Sequence, residues 1–173
     1  MTRAFPAPPT CSMCSLLNKS PAGDIIVLGL GNPLMSDEGI GCRIIECLLA
    51  QAEKFPSVDF VDAGTGGLSV LHLIANRKKA IIIDCAYMEM EPGTIKKFQP
   101  DEVKTIKKLA HLSLHETDII KVINLAKMLG QYPKQLIIFG IEPHTIEPQP
   151  ALSDTLNAKI NDYLAAVTEE LTI

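Results

Sequence analysis

Apolar residues in this chain alternate between short continuous runs and segments with helical spacing. Three continuous runs predict buried strands, at residues 24–30, 79–84 and 135–141, and residues 58–62 predict a further strand. Apolar residues three or four positions apart predict helices over residues 37–53, 68–76, 115–129 and 153–171. Residues 94–98 carry alternating lysines, which predicts a strand at the edge of a sheet. Ser36 and Ser153 are the predicted N-caps of the first and last helices.

Strands that alternate with helices predict the fold class, which is α/β with a mostly parallel sheet covered by helices on both faces. Apolar runs without polar alternation are typical of strands buried on both sides. The chain has 173 residues, enough for one domain with a sizeable core. Residues 1–22 are rich in proline and serine and predict a flexible tail, so the single folded domain is expected over residues 23–173.

Composition and charge exclude several classes of partner. The net charge is -4 and no basic block is present, so neither nucleic acid nor an anionic membrane is an expected partner. No apolar run approaches the ~20 residues that a membrane span needs. The five cysteines are an odd number, and prolines interrupt the N-terminus where a signal peptide would need an apolar segment. We therefore expect reduced thiols and a cytoplasmic protein, with Cys11 and Cys14 a weak metal or redox signal.

The turn after the first predicted strand carries the first candidate chemistry. It has the sequence Gly-Leu-Gly-Asn-Pro-Leu-Met-Ser-Asp-Glu-Gly-Ile-Gly over residues 29–41. Ligands of open α/β sheets collect at the carboxyl ends of strands, which is where this turn lies. Asp37 and Glu38 would repel a phosphate and attract a cation, and Leu34 stands where a dinucleotide-binding motif needs its last glycine. No nucleotide cofactor is expected.

Acidic residues follow or end three of the predicted strands. Asp37 and Glu38 follow the first, Asp62 ends the second and Asp84 ends the third. Parallel strands bring these ends to one edge, where converging carboxylates need a cation or a shared proton. His115, at a predicted helix start, can add a nitrogen. Such oxygen and imidazole ligands suit zinc, nickel or a related divalent metal, with positions open for substrate.

Each of these residues also has a purely structural interpretation. Asp37 and Glu38 can be favourable charges in the first turn of a helix. Asp62 can cap its own turn, Asp84 can mark the water-facing end of a buried strand, and His115 can be a surface residue. Taken singly, each residue fits the structural role better. Their predicted placement at one edge shifts the balance towards a metal site.

The chain resembles the hydrogenase maturation endopeptidases, beginning with the signature-like run GLGNPLMSDEGIGCRIIE. The likeness continues at residues 62–65, 82–86, 113–116 and 140–143, and covers about residues 24–171. It implies a three-layer α/β/α sandwich of the phosphorylase/hydrolase-like kind, with a mixed five-stranded sheet. Alanine at position 63 replaces one glycine of the family's turn, and the tail before residue 23 is outside the family pattern.

The resemblance also implies a function. These endopeptidases, of an aspartic or metallo type, remove the C-terminal extension from the large-subunit precursor of nickel–iron hydrogenases. Nickel arrives in the substrate and signals that metal loading is complete. The implied catalytic and metal-binding residues are Glu38, Asp84 and His115. The implied supporting residues are Asp37, Asp62, Gly64 and Thr65, with the two aspartates orienting the loop or a ligand and the last two lining a peptide cleft.

Two other functions are considered for parts of this sequence. Peptidyl-tRNA hydrolases share the opening letters but need a tyrosine and an early histidine, whereas no histidine precedes His72 here. The acidic charge also disfavours tRNA, so that function is rejected. A non-catalytic nickel-sensing or chaperone module that binds the loaded precursor stays open, because no self-evident nucleophile or general base is present. A monomer is expected, since no predicted helix is apolar all round.

Overall fold

Five strands form one mixed sheet in the computed structural model, which describes residues 23–100, 102 and 114–171, without the side chains of 114–118. The predicted tail, with Cys11 and Cys14, lies outside the described residues. The strands are β1 (Ile25–Gly29), β2 (Val58–Asp62), β3 (Lys79–Cys85), β4 (Ile95–Phe98) and β5 (Gln135–Ile141). Their order is β2-β1-β3-β5-β4, and only β4 runs antiparallel to its neighbour. The predicted mixed five-stranded sheet is confirmed.

Helices cover both faces of this sheet. They are α1 (Ile40–Leu49), α2 (Ser69–Ile74), α3 (Leu114–Met128), α4 (Asp154–Ala158) and α5 (Ile160–Glu169). Alternate residues of β1 and β3 point to opposite faces. Ile26 and Leu28 join a core cluster with α2 and α3, whereas Val27 and Ile81 join a second cluster with α1, α4 and α5. The α/β/α layering is therefore confirmed, with both faces of the central strands buried.

The central strand β3 explains the apolar run that predicted it. All seven of its residues are buried, because β1 and β5 flank it and helices cover its two faces. β4, with exposed Lys96 and Lys97, lies at the sheet edge as predicted. Within the described part of the chain, no helix combines the length and the apolar character that crossing a bilayer requires.

The first predicted helix differs from the structure. A 3-10 turn (Ser36–Gly39) precedes α1, and a second 3-10 turn (Ala52–Lys54) follows it. The prediction that Ser36 is an N-cap was wrong, because its hydroxyl donates to the carbonyl of Thr145 at 3.0 Å and accepts from the N–H of Glu147 at 2.9 Å. Ser36 is instead buried, at φ 41°, where it joins the turn to a distant loop.

The last predicted helix is two helices. Ser153 caps α4 as expected, accepting the N–H of Leu156 at 3.3 Å. The helix is interrupted at Lys159, which has φ -102° and ψ 5°, and α5 begins at the next residue. In α5 Tyr163 is fully buried, and its hydroxyl donates to the carbonyl of Gly93 at 2.9 Å. The interruption accompanies a hydrogen bond that fastens α5 to the turn before β4.

An ion-pair cluster fastens the end of the chain to the sheet. Glu170, after α5, pairs with Lys79 of β3 at 3.3 Å and with Lys97 of β4 at 2.5 Å. Lys79 also donates to the carbonyl of Glu170 at 2.5 Å. The two lysines lower the pKa of the Glu170 carboxyl, the hydrogen bond from Lys97 being the largest cause.

Candidate functional site

The turn after β1 is folded tightly onto the carboxyl edge, the edge of the sheet at which β1, β2, β3 and β5 end. The N–H of Leu30 donates to the carbonyl of Ile83 at 2.8 Å, and that of Gly31 donates to Gly64 at 2.8 Å. Gly31 has φ +134°, and a side chain there would collide with the carbonyl oxygen of Glu38. The glycine therefore lets the backbone of Glu38 come down directly over the end of β1.

Asp37 is an anchor of this turn. It is fully buried, and its carboxylate accepts backbone N–H groups from His144 at 2.9 Å, Thr145 at 3.0 Å and Ser153 at 2.7 Å. These hydrogen bonds join Asp37 to distant residues, which a favourable charge in the first turn of a helix would not do. Charge-assisted hydrogen bonds of this kind fix the turn to the loop before α4, and so hold the neighbouring Glu38 in place. The geometry agrees with a supporting role for Asp37.

Asp62 holds the turn after β2. Its carboxylate accepts the N–H of Gly64 at 2.9 Å, which confirms the interpretation as a turn cap. It also lies beside Cys42 of α1. Burial, followed by the hydrogen bond to Asp62 and the Asp62 charge, raises the pKa of the Cys42 thiol to about 12. Asp62 therefore connects the second turn to the first turn of α1, and Thr65 is exposed beyond it.

Asp84 lies in β3, beside Gly140 of β5 and one residue before the end of the strand. It is only 5% exposed, so the interpretation as a water-facing strand end was wrong. The Asp84 charge contributes to the raised pKa of Cys42, and the Glu38 charge contributes to the raised pKa of Tyr87, for which burial is the largest cause. Glu38 and Asp84 thus each act on a side chain near the carboxyl edge, and their convergence on one site stays a prediction.

His115 is the second residue of α3, and its side chain lies outside the described residues. Among the side chains that are described, no group of three or more His, Cys, Asp or Glu residues is arranged to hold a metal ion. Two members of the predicted set, Glu38 and Asp84, belong to the described part. The three-residue metal site therefore stays a prediction.

Sequence reasoning missed Glu142, which follows β5 at the same edge. It is 5% exposed, and its Oε2 accepts the backbone N–H groups of Met88 at 2.6 Å and Met90 at 3.2 Å. The signal was present, because an acidic residue follows this buried strand directly, as acidic residues follow or end the three other parallel strands. Tyr87, between β3 and this hydrogen-bonded pair, was also missed.

A cavity of about 650 Å³ opens beside α1 and reaches the turn after β1. Its walls come from α1, from the two turns at the carboxyl edge and from residues 150–157, and include Pro33, Cys42, Asp62, Leu152 and Asn157. Its volume is in the range of sites that bind small molecules or peptide segments. Gly64 and Thr65 are not part of its wall, so their placement in a peptide cleft stays a prediction.

The comparisons with known proteins point to one family. Residues 42–170 match the family model described as "Hydrogenase maturation protease". The Hydrogenase 2 maturation protease of Escherichia coli (strain K12) is 34% identical over 148 residues, covering 85% of this chain and 90% of that protein. The solved structure of the hydrogenase maturating endopeptidase HybD from E. coli has a TM-score of 0.76 and 33% identity, covering 86% of this chain and 91% of that one.

Longer relatives match as well. The hydrogenase expression/formation protein HupD of Rhizobium leguminosarum bv. viciae is 35% identical over 131 residues, which is 76% of this chain. This chain spans 65% of the length of that HupD, a little under two thirds. The HybD structure carries a fold with the same layers, which agrees with the sheet and helices described above.

Proposed function

The chain belongs to the hydrogenase maturation protease family, and on that premise we propose that it is an endopeptidase acting on the large-subunit precursor of a nickel–iron hydrogenase. It removes the C-terminal extension of the precursor after nickel has been inserted. The observation that carries this proposal is that Glu38, on a turn folded tightly onto β1, and the buried Asp84 of β3 both lie at the carboxyl edge of the sheet.

Placement of Glu38 and Asp84 supports the proposal in two ways. Asp37 is fixed by three backbone donors, so the residue after it has little freedom to move. Asp84 comes from the neighbouring strand β3, whose backbone is hydrogen-bonded to the turn through Leu30 and Ile83. Two carboxylates placed by rigid elements are a suitable start for a metal-recognition site.

The donor set also fits the proposed substrate. Two carboxylate oxygens and, with His115, one imidazole nitrogen are ligands that Ni²⁺ accepts. Three protein ligands leave positions for groups of the precursor, so the nickel is cargo of the substrate and not a resident cofactor. Cleavage then depends on loading, because an unloaded precursor lacks the ion that these residues would hold. Hydrolysis adds water across one peptide bond and gives a new carboxylate and a free amine.

The remaining parts of the proposal follow from the same premise. The enzyme is a nickel-dependent protease of aspartic or metallo type that works in the cytoplasm as a monomer. Its partner is the hydrogenase large-subunit precursor, with no nucleotide, nucleic acid or membrane involved. Asp37 and Asp62 act as supporting residues, because their carboxylates fix the two turns beside the site.

The experiment is incubation of the full-length protein with a large-subunit precursor, with and without nickel, followed by mass spectrometry of the precursor. We expect loss of the C-terminal extension only from the loaded form. Glu38→Gln, Asp84→Asn and His115→Ala should each abolish it, whereas Glu53→Gln, at an exposed position in the 3-10 turn after α1, should not. Stable binding of loaded precursors without any cleavage would instead favour the non-catalytic nickel-sensing module.

A further inference from the structure

The loop between β3 and β4, residues 86–93, is fastened at both ends to Glu142 and its neighbour. The N–H of Ala86 donates to the carbonyl of Ile141 at 2.9 Å, and that of Gly93 donates to the carbonyl of Glu142 at 2.8 Å. The Glu142 carboxylate then accepts Met88 and Met90 from the inside of the loop. A single buried residue thus organises a whole loop at the carboxyl edge.

Backbone strain marks the centre of this loop. Glu89 has φ 57°, an unfavourable conformation for a residue with a side chain. It lies between Met88 and Met90, whose N–H groups both bind the same Glu142 oxygen. Such conformations persist where surrounding contacts enforce them, and they are frequent at sites that bind ligands. The Glu142 carboxylate supplies the enforcing contacts.

The loop exposes apolar side chains towards solvent. Tyr87 is 39% and Met90 is 41% exposed, although both belong to a segment with a fixed backbone. Leu34 and Leu68 are exposed too, on the turns that follow the neighbouring strands β1 and β2. All four belong to turns and loops that follow strands ending at the carboxyl edge, and exposed apolar side chains at one edge mark a candidate surface for binding another polypeptide.

We propose that residues 86–92 form a binding loop for the precursor polypeptide, in which Tyr87 and Met90 contact the segment beside the cleaved bond and Glu142 is a positioning residue. This inference rests on the proposed function. The occupant is a polypeptide that carries apolar side chains next to a cationic metal centre. Its charge complements Glu38 and Asp84, and its apolar side chains complement the exposed face of the loop. Glu142 touches no substrate and acts by holding the loop.

The test compares steady-state cleavage of nickel-loaded precursor by the wild type and by the double variant Tyr87→Ala/Met90→Ala. We expect KM to rise about ten-fold, with little change in kcat, because contact area with the substrate is lost. Met128→Ala is the matched control, since Met128 is 83% exposed at the last residue of α3, which leads to the start of β5 and not to its carboxyl end. An unchanged KM in the double variant would overturn the proposal.

Variants of Glu142 provide the second part of the test. Both loop hydrogen bonds end on one oxygen, so Glu142→Gln keeps an acceptor and should leave KM within about three-fold of the wild type. Glu142→Ala should raise KM as the double variant does, and urea unfolding of each variant shows whether the fold is kept. If Glu142→Ala does not fold, the KM of the double variant Tyr87→Ala/Met90→Ala decides whether the loop binds the precursor. Equal KM for folded Ala and Gln variants would overturn the positioning role.

The outcomes separate a failure of the binding-loop proposal from a failure of the proposed function. If the wild type binds the loaded precursor without cutting it, the proposed cleavage is wrong, and Kd replaces KM in the same comparison of variants. A wild type that cuts, with variants that cut at the same KM, contradicts the loop alone. A wild type that neither binds nor cuts overturns both.

Discussion

Asp37 accepts a hydrogen bond of 2.7 Å from the backbone N–H of Ser153, which lies 116 residues later in the chain. The same carboxylate accepts the N–H groups of His144 and Thr145. The glycine-rich turn after β1 is therefore fastened to the loop before α4 by a residue of the turn itself. Of the two adjacent acids, Asp37 is fully buried and binds these N–H groups, and Glu38 is half-buried at the carboxyl edge.

We expect Asp37→Ala to be strongly destabilising. The substitution leaves three backbone N–H groups without their buried acceptor, which should lower the free energy of unfolding by about 3 kcal/mol or more. Urea denaturation followed by circular dichroism measures the loss. Asp154→Ala is the control, since Asp154 is an exposed first-turn acid whose removal should cost only about 0.5 kcal/mol. Similar losses in both variants would contradict the anchor.

The strands could be predicted from the sequence because β1, β3 and β5 are covered on both faces. Burial on both sides removes the polar alternation, so the apolar runs match the observed strands to within one residue at each end. The predicted bounds of the helices agreed less well with the structure. Lys159 interrupts the last one at a position where nothing in the local pattern signals a break. The contacts of Tyr163 with Gly93, which accompany that break, join residues far apart in the chain.

The positions of the strand-end acids could be predicted from the sequence, but the contacts that each of them makes could not. Adjacent Asp37 and Glu38 look equivalent in sequence, and only contacts from distant loops separate the buried anchor from the half-buried acid beside it. Asp62 was correctly interpreted as a turn cap, because its carboxylate accepts the N–H of Gly64, only two residues away. Glu142 was missed, since its partners belong to a loop more than fifty residues earlier.

Glu170 should make stability depend on pH in the acid range. Its carboxyl has a pKa below the ordinary value of 4.5, mainly because Lys97 binds the charged form. A lowered folded-state pKa gives stability that is fully present above the unfolded value and is lost as the pH falls through the folded one. We therefore expect the stability difference between wild type and Glu170→Gln to shrink between pH 5 and the onset of acid unfolding.

Thermal or urea unfolding of both proteins over that pH range provides the measurement. Lys97→Met is the companion variant, because it removes the largest cause of the lowered pKa and leaves Lys79 in place. It should reduce the pH dependence without eliminating it. A difference between wild type and Glu170→Gln that stays constant with pH would show that the ion pairs do not contribute as charges.

Cys42 should be chemically inert at neutral pH. With a pKa of about 12, only about one thiol in ten thousand is ionised at pH 8, and the thiolate is the reactive form. Alkylation by iodoacetamide, followed by peptide mass mapping, should therefore modify half-buried Cys47 well before Cys42. In urea the two rates should become equal. Faster modification of Cys42 in the folded protein would contradict its burial beside Asp62.

Gly31 and Gly130 provide a matched pair for testing the turn that places Glu38, because Gly130 follows α3 and is not part of that turn. Both have positive φ, +134° and +66°, so alanine is strained at either position. A Cβ at Gly130 meets no atom within 4 Å, whereas one at Gly31 runs into the carbonyl oxygen of Glu38. Gly130→Ala should therefore cost about 1 kcal/mol of folding free energy, the cost of the backbone conformation alone.

Gly31→Ala should do more than strain the chain, because its collision is with backbone and cannot be relieved by a side-chain rotation. The turn has to move away from the end of β1, and Glu38 moves with it. We expect kcat/KM for the loaded precursor to fall about a hundred-fold in folded Gly31→Ala protein, with Gly130→Ala close to wild type. The cleavage assay measures both variants at a temperature where unfolding curves show them folded. Equal activity of the two would mean that the position of Glu38 does not limit cleavage.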